Sequence, residues 1–279
     1  MSYFELWGMK QEPFSNSPDP NFFYLTQRHK QALDRLEIGI RLKRGLSTII
    51  GPIGSGKTTL SRALLQRFFS DDQYEFYFIF DPSFRSDFEF LHSLARVFKI
   101  FNAGRTRSLC KAAIEDFLFD RVQKQNKTII LIIDESQKLN QTNLEHLRIL
   151  LNYESNDAKF LQLILLGQPE LYPKIFNMEN LADRIHLRFA LEPLTVQEVS
   201  ELIHFRLTQA GLINTESRID PELPQYLWEK TKGLPRKIIH FCHHALTYSI
   251  AHGQNQITNT SLEKIFQEED HFHEQFSIT

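Results

Sequence analysis

Cysteine is nearly absent: the 279 residues carry only Cys110 and Cys242. That excludes a disulfide framework and shows no metal-binding spacing, so both read as ordinary buried or half-buried thiols in a reducing compartment. No apolar stretch approaches the roughly twenty residues needed to cross a bilayer. The opening Met1-Ser2-Tyr3-Phe4-Glu5 lacks the basic-then-apolar order of a secretory signal. The expectation is a cytoplasmic chain with no transmembrane segment of its own. Neither sign of charge is in excess, with 32 Lys and Arg against 34 Asp and Glu, which argues against an extensive basic face. Repeats and low-complexity tracts are missing too. Phenylalanine, by contrast, is abundant, and most of it is expected in the core of one large domain or of a core with a smaller appendage.

Against that background one segment stands out. Gly51-Pro52-Ile53-Gly54-Ser55-Gly56-Lys57-Thr58 spells G-x-x-x-x-G-K-[ST] directly after the apolar run Leu46-Ser47-Thr48-Ile49-Ile50. Glycines at those positions let successive backbone N–H groups turn inward around phosphates, and the helix that follows offers its positive N-terminus. Lys57 then reaches the β- and γ-phosphates, the Thr58 hydroxyl ligates Mg²⁺, and Thr59 completes the nucleotide-binding set. The expected ligand is ATP with Mg²⁺.

A second constellation lies downstream, where Ile129-Ile130-Leu131-Ile132-Ile133 runs into Asp134-Glu135. Such a run reads as a buried parallel strand, and its carboxyl end is where ligands sit in open α/β sheets. Asp134 is expected to hold the Mg²⁺ shell, through water, and Glu135 to orient and deprotonate the attacking water. Taken alone, two acids after a strand read as a helix N-cap. The phosphate loop tips the balance to catalysis.

Residues 1–45 read as an entry segment: a turn-rich stretch with Pro13, Asn16, Ser17, Pro18, Asp19 and Pro20, the aromatic run Phe22-Phe23-Tyr24-Leu25, and a helix from about Thr26 to Lys43 closed by Gly45. Its aromatics either cover the adenine side of a nucleotide or pack on the main sheet. Residues 46–191 alternate strand and helix, with strands expected at Ser47–Ile50, Glu75–Phe80, Thr128–Ile133, Leu161–Leu166 and Ile185–Ala190 and a capping box at Thr142-Asn143-Leu144-Glu145. This is the pattern of an α/β core with a five-stranded parallel sheet. Residues 192–279 lose the strand signals and read as a small helical bundle. Its helices are expected to start at Thr195-Val196-Gln197-Glu198, Asp220-Pro221, Leu234-Pro235 and Thr260-Ser261-Leu262-Glu263.

Phosphate loop, Asp-Glu strand and helical tail together outline an AAA+ P-loop NTPase core followed by a C-terminal lid. The detailed wording resembles the ExeA/GspA-type family of AAA+ ATPases over essentially the whole length. The matching residues are Tyr3-Phe4-Glu5-Leu6-Trp7-Gly8-Met9 with Pro13-Phe14, Pro18-Asp19-Pro20, Phe22-Phe23-Tyr24-Leu25, His29, the Gly-Lys-Thr-Thr loop, Asp134-Glu135-Ser136-Gln137, Leu166-Gly167-Gln168-Pro169-Glu170-Leu171 and Gly233-Leu234-Pro235-Arg236. The resemblance implies the AAA+ strand order and a homo-oligomer, ring or filament, with ATP between subunits. It makes Gln168 a sensor of the γ-phosphate or the water, and Arg236 a lid sensor. It also implies an arginine finger in trans, for which Arg184 is favoured and Arg188 is the alternate. Pro52-Ile53 departs from the more usual acidic or small pair in the loop.

Two biological roles follow from the resemblance. One is secretion or envelope assembly through a membrane-bound partner. Secretion-linked members continue past the lid into a membrane helix and a peptidoglycan-binding region, whereas this sequence ends at Phe276-Ser277-Ile278-Thr279, so direct wall anchoring is not expected. The alternative is a DNA-binding transposition regulator of the TnsC/MuB/TniB kind that recruits a transposase. It would need a basic track for duplex DNA, for which Arg105, Arg107 and Lys111 are the candidates, with Arg35, Arg41, Lys43 and Arg44 as a second run.

Overall fold

The computed structural model describes residues 2–15, 19–155 and 159–276, with side chains for all of these except Pro20 and residues 268–276. Asn16, Ser17 and Pro18 of the expected turn-rich stretch, and the terminal Ser277-Ile278-Thr279, lie outside the described residues. The chain divides into two compact units: a sheet unit of Gln27–Pro52 and Lys57–Leu191, and a helical unit of Met1–Thr26, Ile53–Gly56 and Glu192–Thr279. The entry segment, read as one piece from the sequence, is thus shared between the two.

The sheet unit begins with α1 (Gln27–Arg41) and continues through β1 (Leu46–Ile50), α2 (Lys57–Arg67), β2 (Tyr74–Ile79), α3 (Asp87–Val97), α4 (Arg107–Phe119), β3 (Thr128–Ile133), α5 (Gln141–Leu150), β4 (Leu161–Gly167), α6 (Leu171–Phe176), α7 (Glu179–Ala182) and β5 (Ile185–Ala190). The five strands are parallel in the order β2-β3-β4-β1-β5. Parallel neighbours need crossovers, and helices laid on both faces explain why β3 is apolar without alternation. Ile129, Leu131 and Ile133 join Phe90, Leu91 and Leu94 of α3, Ile114 and Leu118 of α4, and Leu144 and Leu147 of α5 in one core. Ile130 and Ile132, equally buried, point to the other face, because successive strand residues alternate.

This order sets up the site. β4 stands between β1 and β3, so the chain leaving β4 emerges between the phosphate loop and the Asp-Glu pair. Carboxyl ends of parallel strands at such a reversal of strand order form the ligand crevice of open α/β sheets.

The helical unit holds α8 (Val196–Gln209), α9 (Leu223–Thr231), α10 (Pro235–Ala251) and α11 (Asn259–Phe276). Val199, Leu202, Ile203 and Leu207 of α8 form a buried stripe, and Cys242 is buried too, its thiol pushed up to about 12 by burial. Trp7, Met9, Phe14 and Phe22 share this core, and Tyr24 bonds Glu201 through its hydroxyl. Trp7, Phe14 and Phe22 therefore pack among the helices of this unit. Arg206 on α8 secures that arrangement, donating to the carbonyls of Pro13 at 3.1 Å and Ser15 at 3.0 Å.

Three helix starts differ from expectation, two of them because an earlier side chain caps the helix. Asn140, not Thr142, caps α5 by accepting the Asn143 N–H at 2.8 Å. Asp220 forms a turn that accepts Glu222 N–H at 3.0 Å, and α9 begins only at Leu223. Thr258 precedes α11 and exchanges bonds with Ser261. The box at Thr195 and Glu198 is formed as expected.

Candidate functional site

The phosphate loop follows β1, and its backbone requires glycine. Gly54 and Gly56 have φ of +79° and +92°, a region where side chains with a Cβ are strained. Within the helical unit a Cβ on Gly54 would lie 2.7 Å from that of Arg236, and the Arg236 N–H faces the Gly54 carbonyl at 3.4 Å. Lys57 opens α2. The residue is 6 % exposed, and its ammonium donates to the carbonyls of Gly51 at 2.8 Å and Pro52 at 2.9 Å. Gly51 N–H in turn bonds the Gly167 carbonyl at the end of β4, at 3.0 Å. Ile53, where the loop departs from the usual pattern, is exposed.

Asp134 and Glu135 follow β3 directly, as read. Asp134 is buried; one carboxylate oxygen accepts the Glu135 N–H at 2.8 Å and the other accepts the Thr58 hydroxyl. The structure therefore brings together the two groups expected at the metal. A hydroxyl and a carboxylate are hard oxygen donors of the kind Mg²⁺ prefers, and with a buried ammonium and a glycine-rich turn at a helix N-terminus they fit a magnesium-bound triphosphate.

Glu135 adopts a left-handed conformation, φ 50° and ψ 34°. Its carboxylate accepts from Gln168 Nε2 at 3.2 Å and from Gln137 Nε2 at 2.6 Å. Gln168 thus stands beside Glu135, as its expected sensor role requires. Gln137 is the residue that sequence reasoning passed over. It stands inside a quoted motif, but a glutamine in a turn reads as a solvated amide.

The remaining candidates are placed as follows. Arg184 is half-buried and donates to the carbonyls of Asn180 at 3.2 Å and Leu151 at 3.4 Å. Arg188 is exposed, donates to Ala182 at 2.8 Å and lies over the Phe176 ring. Arg236 is exposed in the first turn of α10. Arg105 is exposed, Arg107 pairs with Asp87 at 2.9 Å, and Lys111 is half-buried near Glu145 and His146.

Strand order, phosphate loop and Asp-Glu pair make up an AAA-type P-loop fold. Residues 40–175 match the family model described as AAA domain. The chain is 33% identical over 260 residues to General secretion pathway protein A of Aeromonas hydrophila, covering 92% of this chain and 46% of that protein. The ExeA/GspA resemblance is borne out, and the chain spans about half the length of this curated relative.

Among solved structures it is similar to Cdc6p from Pyrobaculum aerophilum, with TM-score 0.67 and 18% identity over 92% of this chain and 70% of that one. The ORC2 protein of Aeropyrum pernix, in ADPNP-ADP complexes, gives TM-score 0.64 and 16% identity over 91% and 71%. The RuvB Holliday junction branch migration motor of Thermotoga maritima gives 0.56 and 17% over 87% and 69%. At these identities the likeness shows the fold. No described helix is long and apolar enough to cross a membrane.

Proposed function

We propose that this chain binds and hydrolyses ATP as a self-assembling AAA+ protein, and that it uses the cycle to drive or regulate assembly of a larger secretion or envelope complex. The observation carrying the catalytic part is the pairing at the sheet's carboxyl edge: Thr58 with Asp134, and Glu135 with Gln168. Lys57 and the loop N–H groups hold the phosphates. Mg²⁺, held by Thr58 and by Asp134 through water, would neutralise charge between the β- and γ-phosphates. Glu135 takes the proton of the attacking water, Gln168 orients that water or the γ-phosphate, and residues 192–279 act as the lid from which Arg236 contacts the phosphates. The N-terminal segment is proposed to cover the adenine side.

The assembly role is supported by the General secretion pathway protein A relative. The partner would be a membrane-bound component of that machinery. The alternative is the transposition reading, in which Arg105, Arg107 and Lys111 would contact duplex DNA.

A trans arginine finger makes turnover depend on protein concentration. Mixing inactive Arg184→Ala with inactive Lys57→Ala should restore turnover, because a mixed interface pairs an intact loop with an intact arginine. No recovery despite co-assembly would move the finger to Arg188 or into a single subunit. Electron microscopy with a slowly hydrolysed ATP analogue, with and without duplex DNA, tests the wider role. Rings without DNA fit envelope assembly, and DNA-coated filaments would replace that reading with transposition.

A further inference from the structure

The amide of Gln137 is engaged at both ends. Its Nε2 donates to Glu135 Oε2 at 2.6 Å, and its Oε1 accepts the backbone N–H of Gln168 at 3.1 Å. Reversing the amide would set oxygen against carboxylate and NH₂ against N–H, so the network fixes its orientation. Gly167 makes the approach feasible: a Cβ there would fall 2.7 Å from Leu171 Cδ2 and 3.4 Å from Gln137 Oε1. From α6, Lys174 Nζ donates to the carbonyls of Gln137 at 2.5 Å and Leu139 at 3.1 Å. The turn after β3 is thereby braced, by side chain and backbone, to the end of β4 and the helix that follows it.

Glu135 needs such a brace. A residue with a Cβ persists in the left-handed region only where its surroundings hold it there. A carboxylate on a flexible side chain must also be fixed if it is to meet a water in line with the phosphorus. The bond from Gln137 is charge-assisted and short, and therefore stronger than a neutral amide contact.

We infer that Gln137 is a positioning residue for hydrolysis: it ties the Glu135 carboxylate to the end of β4, so that the base and Gln168 are carried on one body. The inference rests on the reading of Glu135 as general base. Gln137 acts through Glu135 and leaves ATP binding to the phosphate loop.

The test is steady-state ATPase kinetics with an independent ATP-binding titration on full-length variants whose thermal transitions establish folding. Gln137→Met, similar in length but without an amide, should bind ATP as wild type does, with KM within about twofold and kcat lower by roughly 10- to 100-fold. Gln137→Glu keeps an acceptor for the Gln168 N–H but sets a second carboxylate against Glu135, and should lose at least as much. It also carries the test if Gln137→Met does not fold. In a Glu135→Gln background, adding Gln137→Met should cost no more than about a further twofold, because the group it positions is gone.

Wild-type kcat in Gln137→Met would overturn the inference. So would wild-type kcat in Gln137→Glu, which would leave only the brace to β4 as important, or full additivity with Glu135→Gln. Hydrolysis by Glu135→Gln at near the wild-type rate would instead overturn the assignment of Glu135 as the base.

Discussion

Lys57 in the sheet unit and Arg206 in the helical unit are buried to the same extent, 6 % exposed each, and each cation donates to two backbone carbonyls. Their situations nevertheless differ. The acceptors of Lys57 belong to a glycine-rich turn at a helix N-terminus, where an incoming phosphate offers a charged acceptor in place of neutral ones. Those of Arg206 belong to a segment packed into the core beside Phe14 and Phe22. Burial lowers the Arg206 pKa to about 10, so it stays charged at neutral pH while fastening the N-terminal segment. A buried cation is therefore no mark of function by itself; what decides is whether a ligand can replace its acceptors.

The comparison can be broken most severely through the backbone that supports each region. Gly233 has φ +71°, and a Cβ there would lie 2.2 Å from the Leu194 carbonyl oxygen. Nothing flexible can yield at that point, since the neighbour is backbone. Gly233→Ala should cost roughly 3 kcal/mol or more, seen as faster hydrogen exchange in α8–α10 with β3 still protected.

Next in size is the direct exchange of roles. Arg206→Met should destabilise by about 2–3 kcal/mol, because the Pro13 and Ser15 carbonyls lose their donor, while the folded fraction keeps its ATP affinity. Lys57→Ala should do the opposite, moving stability by about 1 kcal/mol or less and removing tight nucleotide binding. Chemical denaturation paired with ATP titration separates the two. Equal losses of stability would erase the distinction.

The smallest expected effect concerns a third buried group. His146 on α5 is packed against Phe90, with Asp87 of α3 at 3.8 Å, Lys111 of α4 nearby and Glu145 beside it on its own helix. Burial, reinforced by Lys111, lowers its pKa below the ordinary 6.5. The unfolded chain then takes up a proton that the folded chain resists, so this contribution is complete above about pH 6.5 and is lost as pH falls below it. Denaturation midpoints from pH 8 to pH 5 should fall less steeply for His146→Leu than for wild type.

How far the sequence showed this differs between the regions for a physical reason. Strands β3 and β4 were legible as near-continuous apolar runs and β2 and β5 as β-branched and aromatic residues interrupted by polar ones, and the phosphate loop and Asp134-Glu135 because their chemistry constrains neighbouring residues. The brace from Gln137 to Gln168 spans 31 positions and that from Arg206 to Pro13 spans 193; no local pattern signals either. Arg206 reads as one more charged helical residue. Helix starts were misplaced where an asparagine or threonine two residues earlier capped the helix, as at Asn140 and Thr258.

The central claim is that ground-state phosphate binding and hydrolysis belong to different residues of one sheet edge. The direct measurement is ATP retention alongside single-turnover hydrolysis for Lys57→Ala and Glu135→Gln. On the proposed roles, Lys57 would contact charge already present before reaction, whereas Glu135 would act on the water only as it reacts. Lys57→Ala should fail to retain ATP. Glu135→Gln should retain it at wild-type affinity and turn over at least about 100-fold more slowly. Hydrolysis by Glu135→Gln at near the wild-type rate, with ATP bound normally, would contradict the account.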